Sequence, residues 1–229
     1  MLQLLQVLAI IVSTVLLFIA FNKLYLKVGH PLLLPILTAT CTVIIVLLVF
    51  NIPYETYMVG GQWISKMLGP AVVALAFPLY TQREIIFKYK YSILISIVFA
   101  LCAGVASVFT LLKLSGAEES FILTALPKSL TTPVAMQVSE SVSGIPPLTV
   151  VLVMIAGFTG AFLGSTVFKV FNINSAISRG VAMGSASHGV GLTKLKEYGE
   201  EDLSIGSLAM GLSAVFGAFI IPLVVFLFL

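Results

Sequence analysis

A single lysine, Lys128, lies in the middle of the apolar stretch Phe121 to Val138. At the centre of a hydrocarbon layer an ammonium costs about 2.5 to 3.5 kcal/mol unless a wet cavity or an anion receives it. Its neighbours supply what an anion needs. Pro127 weakens the helix, Ser129, Thr131 and Thr132 offer hydroxyls, and Pro133 restarts a helix at its tolerated first-turn position. An unwound segment from Pro127 to Thr132 would set free backbone N–H groups and a helix N-terminus beside a cation, a combination suited to a carboxylate. The competing reading has Lys128 snorkelling to a headgroup or pairing with Glu118, Glu119 or Glu140.

A second cluster is Gly184-Ser185-Ala186-Ser187-His188-Gly189, followed by Gly191. Small residues let backbones approach closely, Ser185 and Ser187 supply donors, and His188 can donate to a carboxylate or carry a proton. The same composition also serves helix-packing seams that bind nothing, with His188 merely hydrogen-bonded. Gly69-Pro70 resembles this cluster in breaking an apolar stretch but lacks polar side chains, so it would contribute shape and backbone groups.

Enzymatic chemistry is poorly supported. A Lys128/Ser129 pair has the residue types of a Ser-Lys hydrolase, yet adjacent helical residues point about 100° apart, and neither a second base nor an oxyanion loop is evident. The two histidines, His30 and His188, have no carboxylate cluster beside them, so no metal site is expected. No phosphate-cradling GxxxxGK[ST] is present, so ATP would not drive a process through this chain. The expectation is a protein that is not an enzyme and needs no cofactor.

The elements that must position these residues follow from composition. With 59% apolar side chains, 9% charged ones and a mean hydropathy of +1.15, the chain cannot cover a water-soluble globule, since soluble domains carry about 25% charged residues. An all-α, polytopic integral membrane protein is expected. A formal charge of +3 spread over short loops gives no nucleic-acid patch. Cys41 and Cys102 sit inside apolar runs, which disfavours a disulfide framework. Met1 to Asn22 lacks a basic n-region and a peptidase exit and reads as a retained span. Five uninterrupted runs, Leu4 to Phe21, Pro31 to Phe50, Tyr91 to Leu112, Leu148 to Phe171 and Ile205 to Leu229, are each long enough to cross as helices. Three stretches are interrupted. They are Met67 to Tyr80, with Gly69-Pro70 and Pro78; Phe121 to Val138, with Pro127 and Pro133; and Ala176 to Leu195, with Gly184 to Gly189. Broken backbone at membrane depth is tolerated only where it lines protein or a cavity, so function is expected there.

Sliding the chain along itself by about 115 residues, half its length, lays span, span, broken segment and span on the same order. Two repeats, 1–114 and 115–229, are therefore expected within one membrane domain, with broken or re-entrant helices meeting near the midplane. If the broken segments are re-entrant hairpins, each half crosses three times and the repeats are inverted. Lys23, Lys27, Lys169 and Arg179 would then be cytoplasmic, but Arg83, Lys88 and Lys90 would lie outside, against the positive-inside rule. If the segments cross instead, the repeats run parallel.

The blocks Leu68 to Tyr80, Leu126-Pro-Lys-Ser-Leu-Thr-Thr-Pro-Val-Ala-Met136, Gly144-Ile-Pro146, Arg179 to Gly189 and Ser207-Leu-Ala-Met-Gly211 resemble the signature blocks of the LrgB/CidB family, across essentially the whole chain. Val142-Ser143-Gly144 stands where the family more usually has a double glycine, and Val190-Gly-Leu-Thr193 departs from its common Gly-Thr-Ala. The resemblance implies a holin/antiholin-like protein modulating murein hydrolase activity and cell lysis. It equally implies kinship with pyruvate uptake proteins and plastid glycolate and glycerate carriers. It further implies a bacterial cytoplasmic membrane location and a small LrgA/CidA-type membrane partner; a homo-oligomer is compatible with it.

A holin-like lesion needs only helices that oligomerise and gives no reason to keep a lysine beside helix breaks. A carboxylate carrier gives one, because Lys128, Ser129, Thr131, Thr132, Ser185, Ser187 and His188 offer donors for a small 2-oxo or 2-hydroxy acid. The helix breaks expected to present them are Gly69, Pro70, Pro127, Pro133, Gly184 and Gly189. Transport of small monocarboxylates is the leading expectation, and regulation of murein hydrolases the alternative.

Overall fold

In a bilayer every backbone group must be satisfied within the chain, which leaves helices and closed barrels. A computed structural model describes residues 2–29, 33–67, 69–70, 73, 76–81 and 83–229, and among them there are helices and turns but no strand. In chain order the helices are α1 (Leu2–Val28), α2 (Pro35–Val49), α3 (Tyr54–Lys66), α4 (Ala76–Thr81), α5 (Arg83–Leu114), α6 (Glu119–Ala125), a 3-10 turn (Leu126–Ser129), α7 (Thr132–Ser141), α8 (Pro146–Val170), α9 (Ala176–Leu195) and α10 (Glu200–Phe228). The chain is a multi-pass, all-α membrane protein. Segments Gln3–Val28, Phe87–Leu114, Pro146–Val170 and Glu200–Phe228 are long and apolar enough to cross a membrane.

The second apolar run differs from expectation. Of Pro31 to Phe50 the helix takes only Pro35–Val49, 15 residues, or about 22 Å against about 30 Å of hydrocarbon. His30, Pro31 and Leu32 lie outside the described residues. Helix α5 continues upstream of its expected start at Tyr91 and bends at Tyr89, whose φ of −115° and ψ of 21° are not helical.

Two compact units, Met1–Ala71 and Val72–Leu229, make up the chain. That boundary falls inside the first sequence half, so the packing units do not coincide with the expected repeats 1–114 and 115–229. In the first unit α1 packs against α2 and α3. Gly60 lets α3 lie against Ile10, where a Cβ would come within 2.6 Å of the isoleucine Cβ, and Thr14 Oγ1 is 3.2 Å from Tyr57 Oη.

The second unit has the larger core. Ile93, Ile97, Leu101, Val105 and Val108 recur every three or four residues, which places them on one face of α5, and all are buried with Ile205, Leu208, Ala209 and Ile221 of α10. Opposite them Ile95, Phe99 and Leu111 are exposed, as lipid-facing positions should be. Helices α9 and α10 cross with almost nothing between them. A Cβ on Gly184 would collide with the carbonyl oxygen of Gly206, and one on Gly180 would lie 2.8 Å from Ile205 Cβ. Small residues drive such seams because apolar side chains gain little from leaving lipid. The crossing is pinned at one end by Arg179, whose Nε and Nη2 donate to Asp202 at 2.7 and 3.1 Å while Nη1 donates to Asn174 O. Cys41 on α2 and Cys102 on α5 are both free and exposed.

Candidate anion site at two helix breaks

The first break lies between α6 and α7. Neither Pro127 nor Pro133 has an N–H, so no helix can run hydrogen-bonded through both. The chain instead makes a 3-10 turn closed by Leu130 N–H donating to Pro127 O at 2.9 Å, and then extends through Leu130 (φ −84°, ψ 163°) and Thr131 (φ −63°, ψ 140°). Thr131 is the N-cap of α7, with the proline inside the first turn and no side-chain cap. The first-turn N–H groups of Thr132 and Val134 are thereby left to other acceptors.

A buried hydroxyl network holds this break in place. Thr124 Oγ1 donates to Ser120 O at 2.6 Å and accepts from Ile145 N–H at 2.9 Å. Thr149 Oγ1 donates to Thr124 O at 2.9 Å and lies 2.7 Å from Ser139 Oγ. Helices α6, α7 and α8 are joined through three side chains, and Gly144 closes the loop by donating to Ser139 O at 2.7 Å.

Lys128 is half-buried, and its Nζ donates to Ser129 Oγ at 3.2 Å. The two side chains therefore meet although neighbours on a 3-10 turn diverge by about 120°, because the long lysine stem reaches round to the hydroxyl. Glu118, Glu119 and Glu140 are exposed, and the ion pairs among the described residues are Arg179–Asp202 and Lys194–Glu197. The expected alternative of a Lys128–glutamate pair is thus not realised. Lys128 faces a cavity of about 520 Å³ between α8 and α9, which Ser187 also lines.

The second break falls at His188 and not at Gly184. Its φ of 41° and ψ of −143° interrupt α9, a backbone conformation that side-chain-bearing residues adopt only when their surroundings hold them there. Those surroundings are α8: Nε2 is 2.8 Å from Val153 O, and Gly157 makes room for the ring, since a Cβ there would come within 2.8 Å of Cε1. Gly184 stays helical because α10 packs against it, and Gly189 follows the break with open space around it. The 3-10 turn packs against both α8 and α9, and Lys128 lines one cavity with Ser187, so the two breaks are neighbours.

The other expected site residues divide. Ser187 turns toward Gly160, where any Cβ would strike its Oγ. Ser185 is buried and donates to Val181 O at 2.6 Å, a contact within its own helix. Thr131 and Thr132 are half-buried at the start of α7. Gly69 and Pro70 are helical, in or beside the first unit's last turn; Leu68, Ala71, Val72, Ala74 and Leu75 lie outside the described residues. Sequence reasoning missed the α8 contribution. Its signal was available in Gly157, Gly160, Ala161 and Gly164, small residues spaced three or four apart on one helix face. It also missed Asp202 and the Thr124–Ser139–Thr149 network.

The model of the LrgB-like family matches residues 14–227. The chain belongs to the LrgB-like family. Among its relatives, "Uncharacterized protein YxaC" of Bacillus subtilis (strain 168) is 47% identical over 219 residues, covering 96% of this chain and 95% of that protein. "Holin-like protein CidB" of Staphylococcus epidermidis is 37% identical over 224 residues, 98% of each chain, and "Holin-like protein CidB" of Staphylococcus aureus (strain Mu50 / ATCC 700699) is 36% identical over 223 residues, 97% of each. No solved structure matches the chain. In this LrgB-like chain the signature blocks build the two breaks and their supports. Leu126 to Met136 forms the 3-10 turn and the first half of α7, Gly144 to Pro146 meets the hydroxyl network, and Arg179 to Gly189 and Ser207 to Gly211 make the α9–α10 seam. The departure at Ser143 is physically legible, because its φ of 62° is the left-handed region that glycine occupies without strain.

Proposed function

We propose that this protein carries small monocarboxylates of the pyruvate, lactate or glycolate type across the cytoplasmic membrane of a bacterium. The observation that carries this reading is Lys128, a cation without a carboxylate partner among the described residues, facing a cavity at a helix break inside an apolar stretch. Its ammonium, Ser129, Ser187 and the uncapped start of α7 form a donor set for one carboxylate. A carrier of this kind works by alternating access of broken helices between two repeats. Supporting such repeats, the half-chain offset lays α5 onto α10 and α2 within α8, although the unbroken α1 falls on the broken α6–α7 region. No cofactor or catalytic residue enters this scheme, and a small LrgA/CidA-type membrane protein is its proposed partner.

A second reading is favoured by the names of the relatives, two of which are called holin-like. On it the protein acts as a holin/antiholin-like regulator of murein hydrolase activity. Proteoliposomes separate the two readings. The carrier, alone or with its small partner, should take up labelled pyruvate, lactate or glycolate saturably and retain a large inert dye. Dye release without saturable uptake would establish the holin-like reading instead.

A further inference from the structure

The cavity in front of Lys128 is larger and more apolar than an acid of two or three carbons requires. It is an open groove of about 520 Å³, and its walls are Leu152, Ile155, Leu163, Val167 and Phe168. From Leu152 to Phe168 it follows α8 for about 24 Å at the helical rise. Apart from Lys128, the polar side chains lining it among the described residues are Thr159 and Ser187, and the Thr159 hydroxyl already donates to Ile155 O at 2.7 Å. Thr149, in the first turn of α8, donates to Thr124 O four residues before Lys128, which brings the lysine to the Leu152 end of the groove, so charge is at one end and hydrocarbon along the rest.

We infer that this site takes monocarboxylates with a linear or branched apolar tail, such as 4-methyl-2-oxopentanoate, in preference to pyruvate-sized acids, with the carboxylate at Lys128 and the tail along α8. The inference rests on the carboxylate reading of Lys128 proposed above. Two requirements select the occupant. An unpaired ammonium selects an anionic head, and a groove with no free donors beyond Ser187 offers nothing to extra hydroxyls while rewarding each methylene it buries. A phospholipid meets the second requirement but not the first, because its headgroup sits at the bilayer surface and Lys128 lies mid-way along its apolar stretch.

The test is uptake of labelled pyruvate and labelled 4-methyl-2-oxopentanoate into proteoliposomes, in competition with unlabelled pyruvate, 2-oxobutanoate, 2-oxopentanoate and 4-methyl-2-oxopentanoate at neutral pH. Half-inhibitory concentrations should fall about three- to fourfold per added methylene. The series should flatten in Ala156→Leu, which fills the groove, and in Thr159→Phe at an exposed position that tolerates change if the first variant fails to fold. Longer acids that inhibit no better than pyruvate, with pyruvate uptake still lost in Lys128→Gln, would overturn the tail groove and leave the carboxylate reading standing. A tail preference that survives both groove-filling variants would overturn it too. Uptake or inhibition by none of these acids would overturn both readings together.

Discussion

The imidazole Nε2 of His188 lies 2.8 Å from the carbonyl oxygen of Val153, so the residue at which α9 breaks is also the one that ties α9 to α8. With the ring proton on Nε2 the imidazole donates this bond, and it does so whether or not Nδ1 is protonated. Removing it takes away the second bond on a helical carbonyl and leaves a strained backbone without its restraint.

His188→Ala should therefore lower thermal stability in detergent and reduce uptake at every pH without moving the midpoint of the pH profile. His188→Gln should recover part of the stability by restoring a donor. Thermal melts read by size-exclusion fluorescence and uptake between pH 5 and 8 check this. Preserved uptake with a flattened pH profile in His188→Gln would instead make the imidazole the titrating group.

Lys128 is held by a single neutral hydroxyl, so its loss deprives no charged partner. Lys128→Gln should abolish carboxylate uptake while leaving expression and melting temperature nearly unchanged, since removing a costly charge from an apolar surrounding need not destabilise a fold. Lys128→Arg should also be impaired, because a planar fork does not replace a compact ammonium. Wild-type uptake in Lys128→Gln would remove the site assignment.

At the loop before α8, Ser143 sits at φ 62° and Gly144 packs against the hydroxyl network. Ser143→Gly should be neutral or stabilising by up to about 1 kcal/mol, the relief of left-handed strain being offset by greater freedom of the unfolded chain. Gly144→Ala should destabilise by about 1 to 3 kcal/mol, because its Cβ would press on Ser139 Oγ and come within 3.1 Å of Thr124 Cα. Melting temperatures of the two variants should thus move in different directions or by clearly different amounts.

Asp202 has only 4% of its side chain exposed and accepts two hydrogen bonds from Arg179. Asp202→Ala should cost about 3 kcal/mol by stranding the guanidinium at the α9–α10 crossing. The double variant Arg179→Met/Asp202→Leu should be less damaged than Asp202→Ala alone. Comparing the melts of the three proteins decides it.

What could be read from the sequence was what proline and hydropathy determine locally. Pro127 and Pro133 lack N–H groups wherever they occur, so the break between α6 and α7 was visible without any partner. The break in α9 was placed near the right residues but on the wrong one. Gly184 has the more permissive backbone, yet α10 packs so closely on it that it must stay helical, while His188 is pulled from the helix by Val153, 35 residues away. Such long-range partners leave no local mark. Arg179 and Asp202 are separated by 23 positions, and Thr124 and Thr149 by 25, with no periodicity linking them. The contact between Lys128 and Ser129 was not legible because the angle between neighbouring Cβ atoms says nothing of how far a four-carbon stem can reach.

The positions of the two cysteines supply a spectroscopic opportunity. Cys41 and Cys102 are the chain's entire thiol complement, and each is exposed on a different packing unit. A nitroxide or fluorophore pair can therefore be attached to the native protein, with no residue introduced and none removed. The label separation, followed by double electron–electron resonance with and without a candidate acid, becomes a ruler between the units.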